Sequence, residues 1–225
     1  MGFVSEERSS DSPYIETITR GRTFGEGSTI RPAESHWHMV FVRFIGSILP
    51  VVTGPLTTAG IVSYTEGAEI LWVKFKLGAF MPHLPVNVFR DVETILPGAS
   101  SRSFWLQGSA WQFPDFENVE TFVDRLVRND LLVSDPLVGS TLGGHLPSTP
   151  SRTLRHRFLR ATGLSHNHIY QIERAQRAAA LLQRGVSILY TVYEAGYYDQ
   201  AHLTRSLKRW VGHTPAQLLR SNTPV

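Results

Sequence analysis

Arginine, histidine and small polar side chains fall at matching helical positions in two places of this chain. That combination suits the reading of a nucleic-acid duplex. In the first place, Arg152 and His156 share one arc of a helix, with Thr153 and Arg160 beside it and Arg155 at its edge. In the second, Ala201 and Arg205 share an arc flanked by His202, Lys208 and Arg209. A guanidinium can donate two hydrogen bonds to a guanine edge, and Ala or Thr can meet a thymine methyl. Arg157, Arg160, Lys208 and Arg209 suit phosphate contacts or structural pairs. Leu159 also falls on the outward arc of the first helix, and packing against a neighbouring element is expected for it.

The elements that must position these side chains are written twice in the sequence, 49 residues apart. The first copy is Leu154, Phe158, Arg160, Gly163, Ser165 and Ile169; the second is Leu203, Leu207, Arg209, Gly212, Thr214 and Leu218. Each reads as a short amphipathic helix, a glycine stop, a hydroxyl cap and a new helix. Leu154, Phe158 and Ala161 form the inward face of the first helix, as Leu203, Leu207 and Trp210 do in the second. Thr149 or Ser151 is the expected cap of the first, with Pro150 in its first turn. Ser165 opens a helix to about Arg184, roughly 28 Å long at 1.5 Å per residue. Ser187 and Asp199 cap the two helices around Gly196, and Thr214 with Gln217 forms a capping box.

Charge agrees with a polyanion partner. Residues 148–225 carry 11 Lys and Arg against 3 Asp and Glu, whereas residues 1–147 carry 11 against 16. The modest overall charge of +3 hides this asymmetry. There are no cysteines, which excludes disulfides, thiolate catalysis and cysteine zinc fingers. The acidic start lacks an apolar signal core. The 22 uncharged residues between Arg43 and Glu66 hold two prolines and three glycines. Short strands and turns explain them better than a membrane span, so a soluble, cytoplasmic protein with no membrane partner is expected.

Residues 1–13 read as a disordered start and 14–116 as β-rich. Leu71, Val73, Phe75 and Leu77 alternate with Trp72, Lys74 and Lys76, a half-buried strand pattern. Around Glu117 the period changes: Val119, Phe122, Val123, Leu126 and Val127 recur at helical spacing, and a weaker helix can run from Asp135 to Leu142.

The segment from Ser151 to Arg220 resembles the DNA-binding domain of the AraC/XylS family of bacterial transcription regulators. The resemblance rests on Arg152 to Ser165, Ile172 to Leu182, Glu194 to Arg209 and Gly212 to Leu218. It implies two helix-turn-helix units joined by a long helix, in a DNA-binding domain over about 117–222. Carried over by position, the base-reading residues are Arg152, Thr153, Arg155 and His156, then Gln200, Ala201, His202 and Arg205. Two departures stand out: the turn from Leu142 to Pro150 is unusual, and Ala201 stands where many relatives carry a longer polar side chain. The expected fold class is α+β, with a barrel-like (cupin-like) β domain followed by an all-α domain. Double-stranded DNA is the expected partner, and RNA polymerase and a homodimer are compatible with the family.

The family also implies an effector or dimerisation role for the β-rich domain. Trp37, His38, Trp72, Phe75, Phe80 and Trp105 are the candidate lining of an effector pocket. His36 and His38 form an H-x-H pair with no acidic residue following at short spacing, so no metal or other cofactor is expected. No Ser-His-Asp order, carboxylate pair or phosphate loop points to catalysis. The rival readings are a cupin-like metalloenzyme with a DNA-binding tail and a ligand-independent binding module.

Overall fold

The structure, a computed structural model, describes residues 2–144 and 150–220. The strands of the first part are β1 (Phe3–Ser9), β2 (Ile15–Thr23), β3 (Gly27–Arg31), β4 (His38–Phe44), β5 (Ser47–Thr53), β6 (Gly60–Tyr64), β7 (Glu69–Phe75) and β8 (Ala79–Phe80). After a 3₁₀ turn at Val86–Val88 come β9 (Glu93–Ile95), β10 (Gly98–Ser100), β11 (Ser103–Leu106) and β12 (Ser109–Gln112). Then follow α1 (Val119–Arg128), β13 (Val133–Ser134), α2 (Pro136–Leu142), α3 (Ser151–Thr162) and α4 (His166–Gln183). The chain ends its described course with α5 (Ile188–Glu194), α6 (Gln200–Trp210) and α7 (Pro215–Arg220). The class is α+β, β-rich first and helical last.

Two compact units divide the chain. The first holds Met1–Gly27, His36–Pro55 and Ser63–Ser165; the second holds Ser28–Ser35, Leu56–Val62 and the residues from His166 onward. The helix α3 therefore belongs to the first unit and α6 to the second.

In the first unit an antiparallel sheet runs in the order β1-β2-β7-β4-β5-β9. Among the described residues its edges, β1 and β9, do not pair with each other, so the sheet is open and the expected barrel-like closure is absent. Phe3–Ser9 form β1 although residues 1–13 read as disordered. Glu6, Glu7 and Arg8 make it look like a solvated tail, but charged residues are what an exposed edge strand carries. Arg8 binds Glu120 of α1 in a bidentate ion pair and donates to the Phe116 carbonyl at 2.6 Å, which ties the edge down.

The alternation read at β7 is realised: Leu71, Val73 and Phe75 are buried and Trp72 and Lys74 are half-buried. Phe41 meets Phe104, Phe113 and Phe122 at centroid separations of 5.7, 6.1 and 6.1 Å. Phe122 comes from α1, so the helix covers the sheet with its Phe122, Val123 and Leu126 face. Burial of each such side chain contributes roughly 1.5–3 kcal/mol.

Candidate nucleic-acid interface

The helix α6 is fixed from three sides in the second unit. Leu203 and Leu207 are fully buried with Ala178, Ala179 and Leu182 of α4, Val192 of α5, Tyr197 and Leu218. Asp199 caps the helix, its carboxylate accepting from the His202 amide at 2.6 Å. At the other end Gly212 takes φ 82°. An added Cβ there would strike Ile30, so the residue is glycine for both backbone and space. With that face inward, Gln200, Ala201, Arg205, Lys208 and Arg209 are exposed. His202 is half-buried, its ring edge-on to Tyr197 at 5.1 Å. No acidic residue lies on α6.

The helix α3 repeats this arrangement in the first unit. Phe158, Ala161 and Thr162 are buried and Leu154 is half-buried. Arg152, Thr153, Arg155, His156 and Arg160 are exposed. Gly163 ends the helix at φ 71°, as Gly212 does in the second copy, and a Cβ there would press on Val86 and Asn87. Pro150 precedes α3 in extended conformation without a side-chain cap bond. Thr149 and most of the Leu142 to Pro150 turn lie outside the described residues.

Several cations have partners within the chain. Arg157 makes a two-pronged ion pair with Asp135, which itself caps α2; both N–O distances are 2.7 Å. Arg157 is held above its ordinary pKa by that hydrogen bond. The Arg160 guanidinium lies 5.4 Å from the Phe80 ring centroid and that of Arg209 lies 5.1 Å from the Trp210 ring. Leu159 remains exposed on the outer arc of α3.

Two positioning features were not read from the sequence. The first is Arg174, buried on α4. It lies 4.2 Å over the Tyr197 ring and donates to Gln171 at 2.6 Å and to the Gly196 carbonyl at 3.4 Å. The Tyr197 hydroxyl lies 2.8 Å from Ser206 Oγ of α6. The second feature is a ribbon formed by β3 and β6 with their flanks. The Ala33 amide donates to the Trp210 carbonyl at 2.7 Å, and the Ala59 amide to that of Arg209 at 2.8 Å. Gln176 of α4 donates to the Ala33 carbonyl at 2.8 Å. The last carbonyls of α6, which have no partner within a helix, are thus taken by a segment far earlier in the chain. The sequence signal available was Pro32-Ala33 beside a polar strand, which does not distinguish a docking ribbon from a surface loop.

The six candidate effector residues are divided between the interior and the surface of the first unit. Trp37 stacks on Phe75 at 3.9 Å and donates to the Ala79 carbonyl at 2.6 Å; both rings, with Phe80 and His38, are buried in the first unit. Trp72 meets Phe3 edge-on at 5.4 Å, and Trp105 is exposed. None of the six lines the pocket of about 440 Å³ on the sheet, whose floor is Phe41 and Leu71. Trp37, Phe75 and Phe80 are consumed in packing, the commoner fate of such residues.

No helix among the described residues is long and apolar enough to cross a membrane. A family profile described as a helix-turn-helix domain matches residues 148–221. Comparison with the curated proteins and with the solved structures gives no match. The matched stretch runs from just before α3 to the end of α7 and contains both copies of the repeated pattern. The C-terminal third of this chain is an AraC/XylS-type helix-turn-helix domain, the DNA-binding part of a transcription regulator.

Proposed function

We propose that the protein recognises a specific DNA sequence through two reading helices, α3 and α6, placed in successive major-groove segments about 34 Å apart. The observation that carries this reading is that both helices bury the equivalent apolar face and turn a basic, acid-free arc to solvent. Arg152, Thr153, Arg155 and His156 read bases from α3, and Gln200, Ala201, His202 and Arg205 from α6. Arg160, Lys208 and Arg209 take phosphates. Arg157 is left out of the phosphate set because its carboxylate partner satisfies both prongs of the fork.

The β-rich part is a sensor for a small-molecule effector, the protein is not an enzyme, and its site of action is the cytoplasm. A homodimer and contact with RNA polymerase accord with the family. Selection of bound duplexes from a random pool tests the reading. A bipartite consensus with its halves one helical turn apart is the expected result. A single contiguous block of about 4–5 base pairs would reject the two-helix reading.

A further inference from the structure

The strand register sorts the side chains of one sheet face into rows, because residues directly opposite in antiparallel strands point the same way. Ile18, Val73 and Met39 form one row, on β2, β7 and β4, and all three are buried. Two residues along, about 7 Å away, Arg20, Leu71 and Phe41 form the next row, with Glu6 of β1 beside Arg20. Two residues further, Arg22, Glu69 and Arg43 form a third. The face thus runs from a dry core to a charged rim within three rows. The pocket of about 440 Å³ lies over the second and third rows, walled by Pro114, Asp115 and Phe116. That volume falls within the range of small-molecule sites, roughly 300–1,000 Å³.

The pocket is lined by three arginines and three carboxylates that are unevenly paired. Arg20 is committed to Glu6, at 2.6 Å, and reaches Glu117 at 3.7 Å. Its guanidinium also lies 4.4 Å over the Phe116 ring. Asp115 is occupied by the amides of Glu117 and Asn118, at 3.0 and 2.9 Å. Glu69 meets Arg43 at 3.7 Å. Arg22 stands on the other side of Glu69 and makes no ion pair among the described residues; its contact is the Phe24 ring, 6.0 Å away. The outer row of Arg22, Glu69 and Arg43 therefore holds one cation more than its own carboxylate matches, beside an apolar floor of Phe41 and Leu71, while Glu6 and Asp115 balance the arginines over the lining as a whole.

The geometry points to a binding site for a small organic monocarboxylate, its apolar body on Phe41 and Leu71 and its carboxylate on Arg22 with Arg43. A guanidinium matches a carboxylate in a forked pair. A dianion would find one spare cation, and an ammonium would find Glu69 already flanked by two arginines. This assignment rests on the sensor reading of the β-rich part and names the chemistry of its ligand.

The test uses the full chain and probes of matched shape. Hexanoate, cyclohexylacetate and 3-phenylpropanoate are compared with 3-phenylpropanamide, 3-phenylpropylamine and inorganic phosphate by thermal shift and calorimetry. A ligand that binds only the folded state raises the melting temperature. At least one carboxylate should bind saturably at millimolar concentration, while the amide, the amine and phosphate do not. Arg22→Ala should weaken that carboxylate at least about tenfold while leaving circular dichroism and DNA binding intact. Leu71→Gln, which polarises the floor, should weaken it as well. No binding by any carboxylate, equal binding by the amide, stabilisation by phosphate alone, or undiminished binding by Arg22→Ala would each overturn the assignment. If the carboxylate binds as expected but leaves DNA affinity unchanged, the pocket stands and the sensor reading falls.

Discussion

The guanidinium of Arg174 lies 4.2 Å from the centroid of the Tyr197 ring, and the hydroxyl of that ring lies 2.8 Å from Ser206 Oγ. This chain of contacts runs from the connecting helix α4, through the turn before α6, to the inner face of α6. Tyr197→Phe removes the hydroxyl and leaves the buried Ser206 without that partner. Denaturant unfolding should register a loss of about 1–2 kcal/mol, with an unchanged denaturant slope. A variant as stable as the wild type would mean the hydroxyl pair contributes nothing.

Arg205 and Lys208 stand on the same exposed arc but face different tasks. Arg205→Ala should cost about 1–3 kcal/mol at a cognate site and relax preference at one or two base pairs. Lys208→Ala should weaken all sequences alike and reduce the salt dependence, because a phosphate contact releases counterions. Arg152→Ala should change base pairs one helical turn from those of Arg205→Ala. Footprints and binding profiles that place both arginine effects on the same base pairs would contradict two reading helices.

Arg157 and Arg160 separate a structural cation from a DNA cation on one helix. Arg157→Ala breaks the pair with Asp135 and so loosens α3 from the cap of α2, lowering the melting temperature. Its salt slope of DNA binding should match the wild type at temperatures where both are folded. Arg160→Ala should do the reverse, leaving the melting temperature nearly unchanged and making the slope shallower.

The Arg8 hydrogen bond holds the Glu120 carboxyl below its ordinary 4.5, at about 2. A carboxylate depressed in the folded state stabilises fully above its unfolded value and loses that contribution as pH falls toward the folded value. Wild type and Glu120→Gln should therefore differ in stability at neutral pH and converge between roughly pH 4.5 and 2. A difference that stays constant over that window would remove the ion pair as the tie on β1.

The hairpin between β4 and β5 turns through Ile45 and Gly46, at φ 47° and 74°. Two positive φ values mark the turn type that prefers Asn-Gly, and a β-branched residue is strained there. Ile45 is also exposed. Ile45→Asn should stabilise the protein by about 0.5–1 kcal/mol, read as a higher unfolding midpoint; an unchanged or lower midpoint would argue against strain at this turn.

The sequence by itself determined the helices of the C-terminal third and the side chains they expose. Asp199, Ser187 and the Thr214–Gln217 box are local signals, since each cap binds an amide three residues away. The inward Leu203–Leu207 face follows from period alone. The β-rich character of the first part was legible for the same reason at β7.

What the sequence left open depended on partners far along the chain. Phe3–Ser9 became an edge strand because β2 supplies its ladder and Glu120, over a hundred residues later, takes Arg8. Trp37 and Phe75 went into packing and left the pocket floor to Phe41 and Leu71, a choice made by strand register rather than residue type. Ser28–Ser35 and Leu56–Val62 joined the second unit because their amides meet the orphan carbonyls at the end of α6. A backbone donor looks the same at every residue, so only the tertiary structure could decide where those two amides would go.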